Sequence, residues 1–290
     1  MRDSPRLLVI GGSGELGQCL VKAATAWDVH ATYLRQQTDE DSATWHSLDI
    51  LDRQAVLHLI TSIVPQVVIH VAYSDRSRSA EDTDSSFLRK MVTGALNVAA
   101  ATESASSRLI VMSTDLVFDG HTGNYIETDV PNPIMPYGLA KTKMEAALSE
   151  LEQDIAIVRT SLILSLEPMG RHIRWIVEGV RRGESLDLFV DEQRSPIWGD
   201  ELAAALLELA QTDYRGLLHI GGPEIINRHR LGQYLVEMFN LDPRRIVPAS
   251  SAASGLNRPL DCSLDSHRAY SMLNTKIHSI GLRFGQNTNH

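Results

Sequence analysis

Residues 6–17 read RLLVIGGSGELG, an apolar run that ends in a glycine-rich turn. The run Arg6–Ile10 is typical of a buried strand, and apolar residues at helical spacing follow the turn. Glycines at positions 11, 14 and 17 let the chain turn tightly, approach a pyrophosphate closely and pack the helix on the strand. The start of that helix offers unpaired N–H groups and a positive dipole end to phosphates. The stretch therefore predicts a dinucleotide site, with cofactor contacts at Gly11, Ser13, Gly14, Glu15, Leu16 and Gly17.

Strand-like runs alternate with helical patterns through the first half of the chain. The predicted strands are 7–10, 29–34, 67–71, 109–113 and 155–159. The predicted helices are 15–26, 52–63, 80–103 and 136–152. This alternation predicts an α/β fold with a Rossmann-type doubly wound parallel sheet, covered by helices on both faces.

Beyond Thr160 the pattern changes to short irregular segments and isolated helices. A helix at 200–211 and a strand at 217–220 have the composition of elements that return to the main sheet. We therefore expect a smaller, discontinuous C-terminal substrate lobe. The expected domains are an NAD(P)-binding Rossmann domain of residues 1–160, with 200–220 returning to it, and a substrate-binding lobe of residues 161–199 and 221–290.

The composition indicates an ordinary globular protein. The hydrophobic fraction of 43% and the charged fraction of 22% lie close to globular averages, and 290 residues can bury a substantial core. The formal net charge of −9 argues against nucleic acid as the main partner, because phosphate backbones are bound by clustered Lys and Arg. We interpret the short basic groups 181–182 and 228–230 as solvated helix surface.

Compartment and metal content are constrained by what the sequence lacks. The two cysteines, Cys19 and Cys262, form no disulfide framework, so a reducing compartment is favoured. No apolar stretch reaches the length of a membrane span, and no signal peptide is recognisable at the N-terminus. The histidines show no paired ligand spacing, so we expect no metal site. We expect a cytoplasmic protein.

The end of the second predicted strand bears on the choice between nicotinamide cofactors. A carboxylate at this place accepts hydrogen bonds from a ribose 2′-OH and repels a 2′-phosphate. Here the strand ends in Thr-Tyr-Leu-Arg at 32–35, with no acid before Asp39. Arg35 therefore favours NADP(H), with NAD(H) possible, although Arg35 could instead be a surface residue beyond the sheet edge.

Further cofactor contacts are expected after the third and fourth strands, where strand ends converge on a bound dinucleotide. Asp49 and Ile50 follow an additional short strand, third in chain order, between 29–34 and 67–71. Ala72, Tyr73 and Ser74 follow the strand at 67–71, which is then the fourth, and 109–113 is the fifth. Asp49 has an alternative role, because it could be the N-terminal cap of the helix that begins near Asp52.

Tyr137 and Lys141 form the most informative pair in the chain. A spacing of four residues stacks a phenol and an ammonium on one helix face, where the cation can lower the phenol's pKa towards the range useful for proton transfer. The fifth predicted strand ends in Ser113 and Thr114. A hydroxyl there can bind a substrate carbonyl while Tyr137 protonates the developing alkoxide and Lys141 holds the nicotinamide ribose.

These motifs together resemble the extended short-chain dehydrogenase/reductase family, and within it the dTDP-4-dehydrorhamnose reductase branch. The resemblance covers essentially the whole chain. It is carried by the glycine motif at 11–17, by STDLVFDG at 113–120, by the PxxxYGxxK pattern at 133–141 and by Arg-Thr at 159–160. The regulatory β subunit of methionine adenosyltransferase is similar too, including the segment RPLDCS at 258–263.

The resemblance implies a reductase that passes hydride from NADPH to the 4-keto group of a nucleotide-linked deoxysugar. By the family pattern Thr114 is the catalytic hydroxyl, with Ser113 as the neighbouring candidate, Tyr137 is the proton donor, and Lys141 anchors the ribose. Candidate substrate contacts follow from side-chain chemistry, since arginine suits a diphosphate and an indole can cover a sugar or base. These candidates are Asp115, Arg194, Trp198 and Arg258.

Two departures from the family pattern bear on the activity. Met91 stands where the family has an Asn that organises a water path to the lysine, and Leu162 stands where the reductases have a Trp that borders the sugar pocket. Two other functions therefore stay open: an epimerase or dehydratase of a nucleotide sugar, and a non-catalytic NADP-binding regulatory subunit. A homodimer is a possible assembly.

Overall fold

The computed structural model describes residues 4–38, 41–72 and 85–286. Within these ranges the strands are β1 (Arg6–Ile10), β2 (Asp28–Tyr33), β3 (Thr44–Ser47), β4 (Val67–His70), β5 (Arg108–Thr114), β6 (Ile155–Thr160), β7 (Ile163–Leu164), β8 (Leu186–Phe189), β9 (Gln193–Arg194), β10 (Ile197–Trp198), β11 (Gly216–His219), β12 (Ile226–Asn227) and β13 (Ile246–Ala249). The helices are α1 (Glu15–Ala23), α2 (Arg53–Ile63), α3 (Ser85–Ser104), α4 (Pro136–Ser149), α5 (Arg171–Arg181), α6 (Gly199–Leu209), α7 (Arg228–Met238), α8 (His267–Met272) and α9 (Ile280–Gln286).

Seven of these strands form one parallel sheet in the order β11-β6-β5-β4-β1-β2-β3. β1 and β4 are neighbours although β2 and β3 come between them in the chain, so the direction of winding reverses there. In the register, His70 of β4 lies between Ile10 of β1 and Val111 of β5. The carboxyl ends of these three strands therefore meet at one edge of the sheet, which is the place where open α/β sheets bind ligands.

Both faces of the sheet are covered because side chains alternate along each buried strand. In β1, Leu7 and Val9 pack with α1 and α6 in one core, whereas Leu8 and Ile10 pack with α2, α3 and α4 in the other. This arrangement confirms the predicted α/β class with a Rossmann-type doubly wound sheet.

A third core lies outside the main sheet. It contains apolar residues of α5 and α7 and of β8, which pairs in parallel with β13. Between the segments that build this core, β11 pairs in parallel with β6 at the edge of the main sheet, and α6 packs against α1. The chain thus leaves the sheet, returns to it and leaves again. The division into a cofactor domain and a substrate lobe stays a prediction.

Local sequence explains where the helices of the site begin. Asp52 caps α2, because its carboxylate accepts from the backbone N–H groups of Gln54 and Ala55. Pro136 occupies the first position of α4, where its missing N–H has no partner to lose. The predicted helix 80–103 is observed from Ser85, and 80–84 lie outside the described residues. Within the described ranges, none of the helices combines the length and the apolar character that a membrane span requires.

Candidate active site

The glycine turn between β1 and α1 excludes side chains at two of its predicted positions. Gly11 has a φ of +92°, and a Cβ atom there would lie 2.6 Å from the Cα of Ala72. A Cβ on Gly17 would lie 2.2 Å from the carbonyl oxygen of Gly11. The N–H of Gly11 donates to the hydroxyl of Thr32 at 3.0 Å, which ties the turn to the end of β2. The turn therefore lies close against the ends of β2 and β4.

The start of α1 lies directly beside this turn. Gly14 is the N-cap and has no side chain to accept from the first N–H groups of the helix. Leu16 is buried in the core, and the carbonyl of Ser13 accepts from the side chain of Gln18. Glu15 accepts instead from the N–H of Arg171 at 3.2 Å, which links the turn to the start of α5. The backbone, more than the side chains, thus offers the groups that a dinucleotide needs.

The remaining cofactor candidates surround the same edge of the sheet. Arg35 is exposed just beyond the end of β2, and Ile50 is buried, with its carbonyl accepting from Asn97 at 2.9 Å. Asp49 is exposed and accepts from the N–H of Leu51. The alternative that Asp49 caps α2 is wrong, because Asp52 makes the capping bonds. Tyr73 and Ser74 lie outside the described residues.

The adjacent hydroxyls at the end of β5 have different partners. Ser113 donates to Glu145 of α4, whose carboxylate also accepts from Arg159 of β6 at 2.7 Å. All three of these groups are buried. Thr114, on the opposite side of the strand, donates to Asp115 Oδ1 at 3.1 Å. Ser113 thus belongs to a buried network with α4 and β6, and Thr114 contacts Asp115 instead. The catalytic assignment of both hydroxyls stays a prediction.

Tyr137 and Lys141 lie one helical turn apart in α4, as their spacing predicts. Tyr137 is partly buried against the core, and the Nζ of Lys141 donates to the carbonyl oxygen of Met112 at 2.7 Å. Burial lowers the pKa of Lys141 to about 8, with the nearby carboxylate of Glu145 opposing the shift. The amine can therefore exchange a proton near neutral pH. Met91 is buried in the core on this face of the sheet.

His70, which the sequence interpretation did not single out, lies at the end of β4. Burial lowers its pKa to about 3, and the positive charge of Lys141 adds to the effect. Its imidazole is therefore neutral at physiological pH. Within the described residues, its Nδ1 has no hydrogen-bond partner. The only sequence signal for this residue is its place at the carboxyl end of a central strand.

Asp115 connects the end of β5 to Ser161 and to Arg194 of β9. Its Oδ2 accepts from Ser161 at 2.6 Å and lies 3.7 Å from the Nε of Arg194. Burial raises the pKa of Asp115, although Arg194 and the two neighbouring hydroxyls oppose the shift. Arg194 is buried, and its other donors bind the backbone carbonyls of Gln193, Pro259 and Leu260. Arg194 thus positions Asp115 and the segment that carries Arg258.

Arg258 belongs to a larger cluster around a buried carboxylate. Its Nε donates to Glu192 Oε1 at 2.5 Å, and the Nε of Arg228 lies 3.7 Å from Glu192 Oε2. Arg228 in turn donates to His172 Nδ1 at 3.3 Å. The interpretation of 228–230 as solvated surface is wrong for Arg228, whose side chain is only 18% exposed. Sequence analysis missed Arg228, His172 and Glu192 because no local motif contains them.

Trp198, another substrate candidate, lies in the third core. It is only 1% exposed, and the guanidinium of Arg283 lies 4.7 Å from the centre of its ring. Its position gives the indole a packing role and lends no support to the predicted substrate contact.

The fold and the motifs define an NAD(P)-dependent oxidoreductase of the extended short-chain dehydrogenase/reductase type. Residues 5–281 match the family model described as the RmlD substrate binding domain. The chain belongs to this family.

Relatives span nearly the whole chain. It is 31% identical over 262 residues to the dTDP-4-keto-6-deoxy-D-glucose reductase of Streptomyces niveus, covering 88% of this chain and 86% of that protein. It is 26% identical to the methionine adenosyltransferase 2 subunit beta of Bos taurus, covering 91% and 81%. The structure of a hypothetical dTDP-4-dehydrorhamnose reductase from Sulfolobus tokodaii superposes with a TM-score of 0.83 at 29% identity, covering 96% and 98%. The predicted family is thereby confirmed.

Proposed function

We propose that the protein reduces a carbonyl group with NADPH, and that this carbonyl is the 4-keto group of a nucleotide-linked deoxysugar. The observation that carries the proposal is the arrangement at the carboxyl edge of the sheet. The glycine turn follows β1, Thr114 ends β5, and Tyr137 and Lys141 begin α4. The family's dTDP-sugar reductases support the choice of substrate. The proposal includes the two-lobe division, with the substrate bound between the lobes.

The residues at the predicted cofactor site fit a dinucleotide. The side-chain-free positions Gly11 and Gly17 let the backbone come close to a pyrophosphate. The N-cap Gly14 has no side chain that would compete with phosphate oxygens for the N–H groups of the first turn of α1. No acid stands at the end of β2 to repel a 2′-phosphate, and Arg35 there suits that group. Bound NADPH would supply the hydride.

The chain's own residues supply the proton and the orientation. Thr114 would hold the substrate carbonyl by a hydrogen bond, and Tyr137 would donate the phenolic proton to the oxygen as negative charge develops there. Lys141, whose Nζ is fixed by the Met112 carbonyl, would hold the nicotinamide ribose and favour the ionised phenol. Thr114 and Lys141 are buried and Tyr137 is partly buried, so their charges and dipoles act with little screening by water.

A second candidate is a non-catalytic NADP-binding subunit. Met91 favours it, because a buried thioether cannot organise the water path that the family's Asn provides. The methionine adenosyltransferase 2 subunit beta relatives favour it as well. A third candidate, an epimerase or dehydratase, would recycle the cofactor within each turnover and consume no net NADPH.

Absorbance of NADPH during incubation with dTDP-4-keto-6-deoxy-D-glucose and its 3,5-epimer tests these candidates. One NADPH oxidised per sugar reduced supports the reductase, and product without NADPH consumption indicates an epimerase or dehydratase. Tyr137→Phe should lower kcat by a factor of about 10² to 10⁴ with little change in NADPH affinity. Tyr270→Phe is a matched control, because Tyr270 donates to the carbonyl of Gly221 away from α4. Full turnover by Tyr137→Phe would remove the phenol from the mechanism.

A further inference from the structure

We propose that Glu145 is a positioning residue for Lys141. Through Ser113, its carboxylate fixes the end of β5 to which the Lys141 amine is bound, and it offsets the buried positive charge of that amine. The inference deepens the proposed function and rests on it, because that function makes Lys141 the group that holds the nicotinamide ribose.

A closed path of contacts joins Lys141 and Glu145 through β5. The Nζ of Lys141 donates to the carbonyl oxygen of Met112 at 2.7 Å, and the next residue, Ser113, donates to Glu145 Oε1. On α4, Tyr137 and Glu145 stand four residues before and four residues after Lys141, so the three side chains share one helix face. Two hydrogen bonds therefore tie that face to two consecutive residues of one strand, which fixes the position of the amine along the strand.

Arg159 of β6 holds the same carboxylate from a second strand. Its Nη2 donates to Glu145 Oε2 at 2.7 Å, and its Nε donates to Oε1 at 3.0 Å. Such a two-point contact restricts the orientation of both groups more than a single hydrogen bond does. Glu145, Arg159 and Ser113 are all buried, so water does not compete for these bonds. The orientation of Glu145 is thus set by β5 and β6 together.

Glu145 supplies the counter-charge of the buried amine. Burial lowers the pKa of Lys141 to about 8, and the negative charge of Glu145 opposes the shift. Among the described residues of the neighbouring elements, His70 of β4 is neutral because burial lowers its pKa to about 3, and α3 contributes the apolar Met91. Arg159 of β6 is paired with Glu145 itself. Without Glu145, the amine would therefore lose its proton at a lower pH.

The arrangement gives the two adjacent hydroxyls of β5 different tasks. Ser113 is bound to Glu145 and belongs to the support of Lys141. Thr114 contacts Asp115 instead, so it is the hydroxyl that we assign to the substrate carbonyl. Lys141 must be charged to favour the ionised phenol of Tyr137. Glu145 therefore acts on the reaction through Lys141, without touching the substrate or the cofactor.

NMR titration of the lysine side chains tests the charge effect without any turnover. The chain has five lysines, so the ¹³Cε signals of protein labelled with ¹³C-lysine can be assigned by substitution, and Lys141→Met removes the signal of interest. We expect a midpoint near pH 8 for Lys141 in the wild type. Glu145→Gln should lower this midpoint by about 1 pH unit or more, because the amide carries no charge. Glu145→Asp keeps the charge and should stay closer to the wild type.

The control and a second variant separate this effect from a loss of folding. Glu150→Gln removes the same charge from an exposed residue about two and a half helical turns from Lys141, so it should leave the midpoint unchanged. Glu145→Gln leaves Arg159 without its carboxylate, so the double variant with Arg159→Met is titrated as well. This variant lacks both members of the buried pair, and its Lys141 midpoint should also lie below that of the wild type.

Ser113→Ala tests the contact through the strand end. It removes the bond to Glu145 and keeps the charge, so NADP⁺ affinity should fall by about 3- to 10-fold while the Lys141 midpoint changes little. Calorimetric titration measures this affinity. Ser104→Ala is the matched control, because this exposed hydroxyl donates to the carbonyl of Ala100 within α3.

The outcomes are distinct from those for the reductase activity. A lowered midpoint in Glu145→Gln without turnover of any keto sugar by the wild type would support the role of Glu145 and remove the proposed reduction. Lys141 midpoints within about 0.3 pH unit of the wild type in both folded Glu145 variants that lack the charge would overturn the charge effect, even if the wild type reduces keto sugars. Unchanged NADP⁺ affinity in Ser113→Ala would overturn the contact through the strand end.

Discussion

Lys141→Met exchanges a buried ammonium for an apolar side chain of similar length, and its effect on stability depends on pH. Burial lowers the pKa of Lys141 from 10.5 in the unfolded chain to about 8 in the folded protein. Between these values the unfolded chain binds more protons, so the free energy of unfolding of the wild type rises with pH. From pH 7 to pH 10 this contribution amounts to about 2.5 kcal/mol. The Met variant lacks it.

Urea unfolding of both proteins at several pH values measures the effect, because the other titrating groups cancel in the difference. Below pH 8 the buried amine of the wild type is charged, and its burial lowers the free energy of unfolding by the full amount. The stability of the Met variant relative to the wild type should therefore be highest in this pH range. At any single pH, the stability difference also includes the loss of the hydrogen bond to Met112, about 1 kcal/mol. This contribution does not depend on pH, so it cancels when the difference is compared between pH values. A wild-type-minus-variant difference that is constant from pH 7 to pH 10 would falsify the assignment of a depressed pKa to Lys141. The same titration predicts that reductase turnover falls as the pH rises above about 8.

Two further substitutions test the cofactor end and the network behind the site. Arg35→Ala should weaken NADPH binding by about 10- to 100-fold, because the charged hydrogen bond to the 2′-phosphate is lost. NADH has no 2′-phosphate, so its binding should stay nearly unchanged. Fluorescence titration measures both affinities. Glu145→Gln should lower the free energy of unfolding by about 3–5 kcal/mol, because it leaves the guanidinium of Arg159, 1% exposed, without its carboxylate. Urea or thermal unfolding measures this loss.

Each of these predictions has a control on the same chain. Arg244→Ala removes an arginine whose side chain is 88% exposed and should change neither cofactor affinity. Equal losses of NADPH and NADH affinity in Arg35→Ala would contradict a 2′-phosphate contact. Glu178→Gln removes an exposed partner of Arg182 and should change stability by less than about 1 kcal/mol. A similarly small loss in Glu145→Gln would contradict a buried ion pair that the fold requires.

The sequence by itself determined the fold class and the predicted catalytic pair, because both are encoded in short segments. At positions 11 and 17, neighbouring backbone atoms leave no room for a side chain, so only glycine fits. The need for glycine at these positions can therefore be recognised from the local sequence. The alternation of apolar runs and helical patterns predicts the parallel sheet, since each element must bury one face or stripe. Tyr137 and Lys141 share a helix face by spacing alone.

The tertiary structure decided which side chains meet across distant segments. Glu192 forms ion pairs with Arg228 and Arg258, and His172 of α5 accepts a hydrogen bond from Arg228. No local sequence pattern connects these positions. The direction of a side chain at a strand end also depends on its partners: Ser113 donates back to α4, while its neighbour Thr114 donates to Asp115. Such contacts are set by the packing of whole elements, and a charge becomes buried or exposed only when that packing is complete.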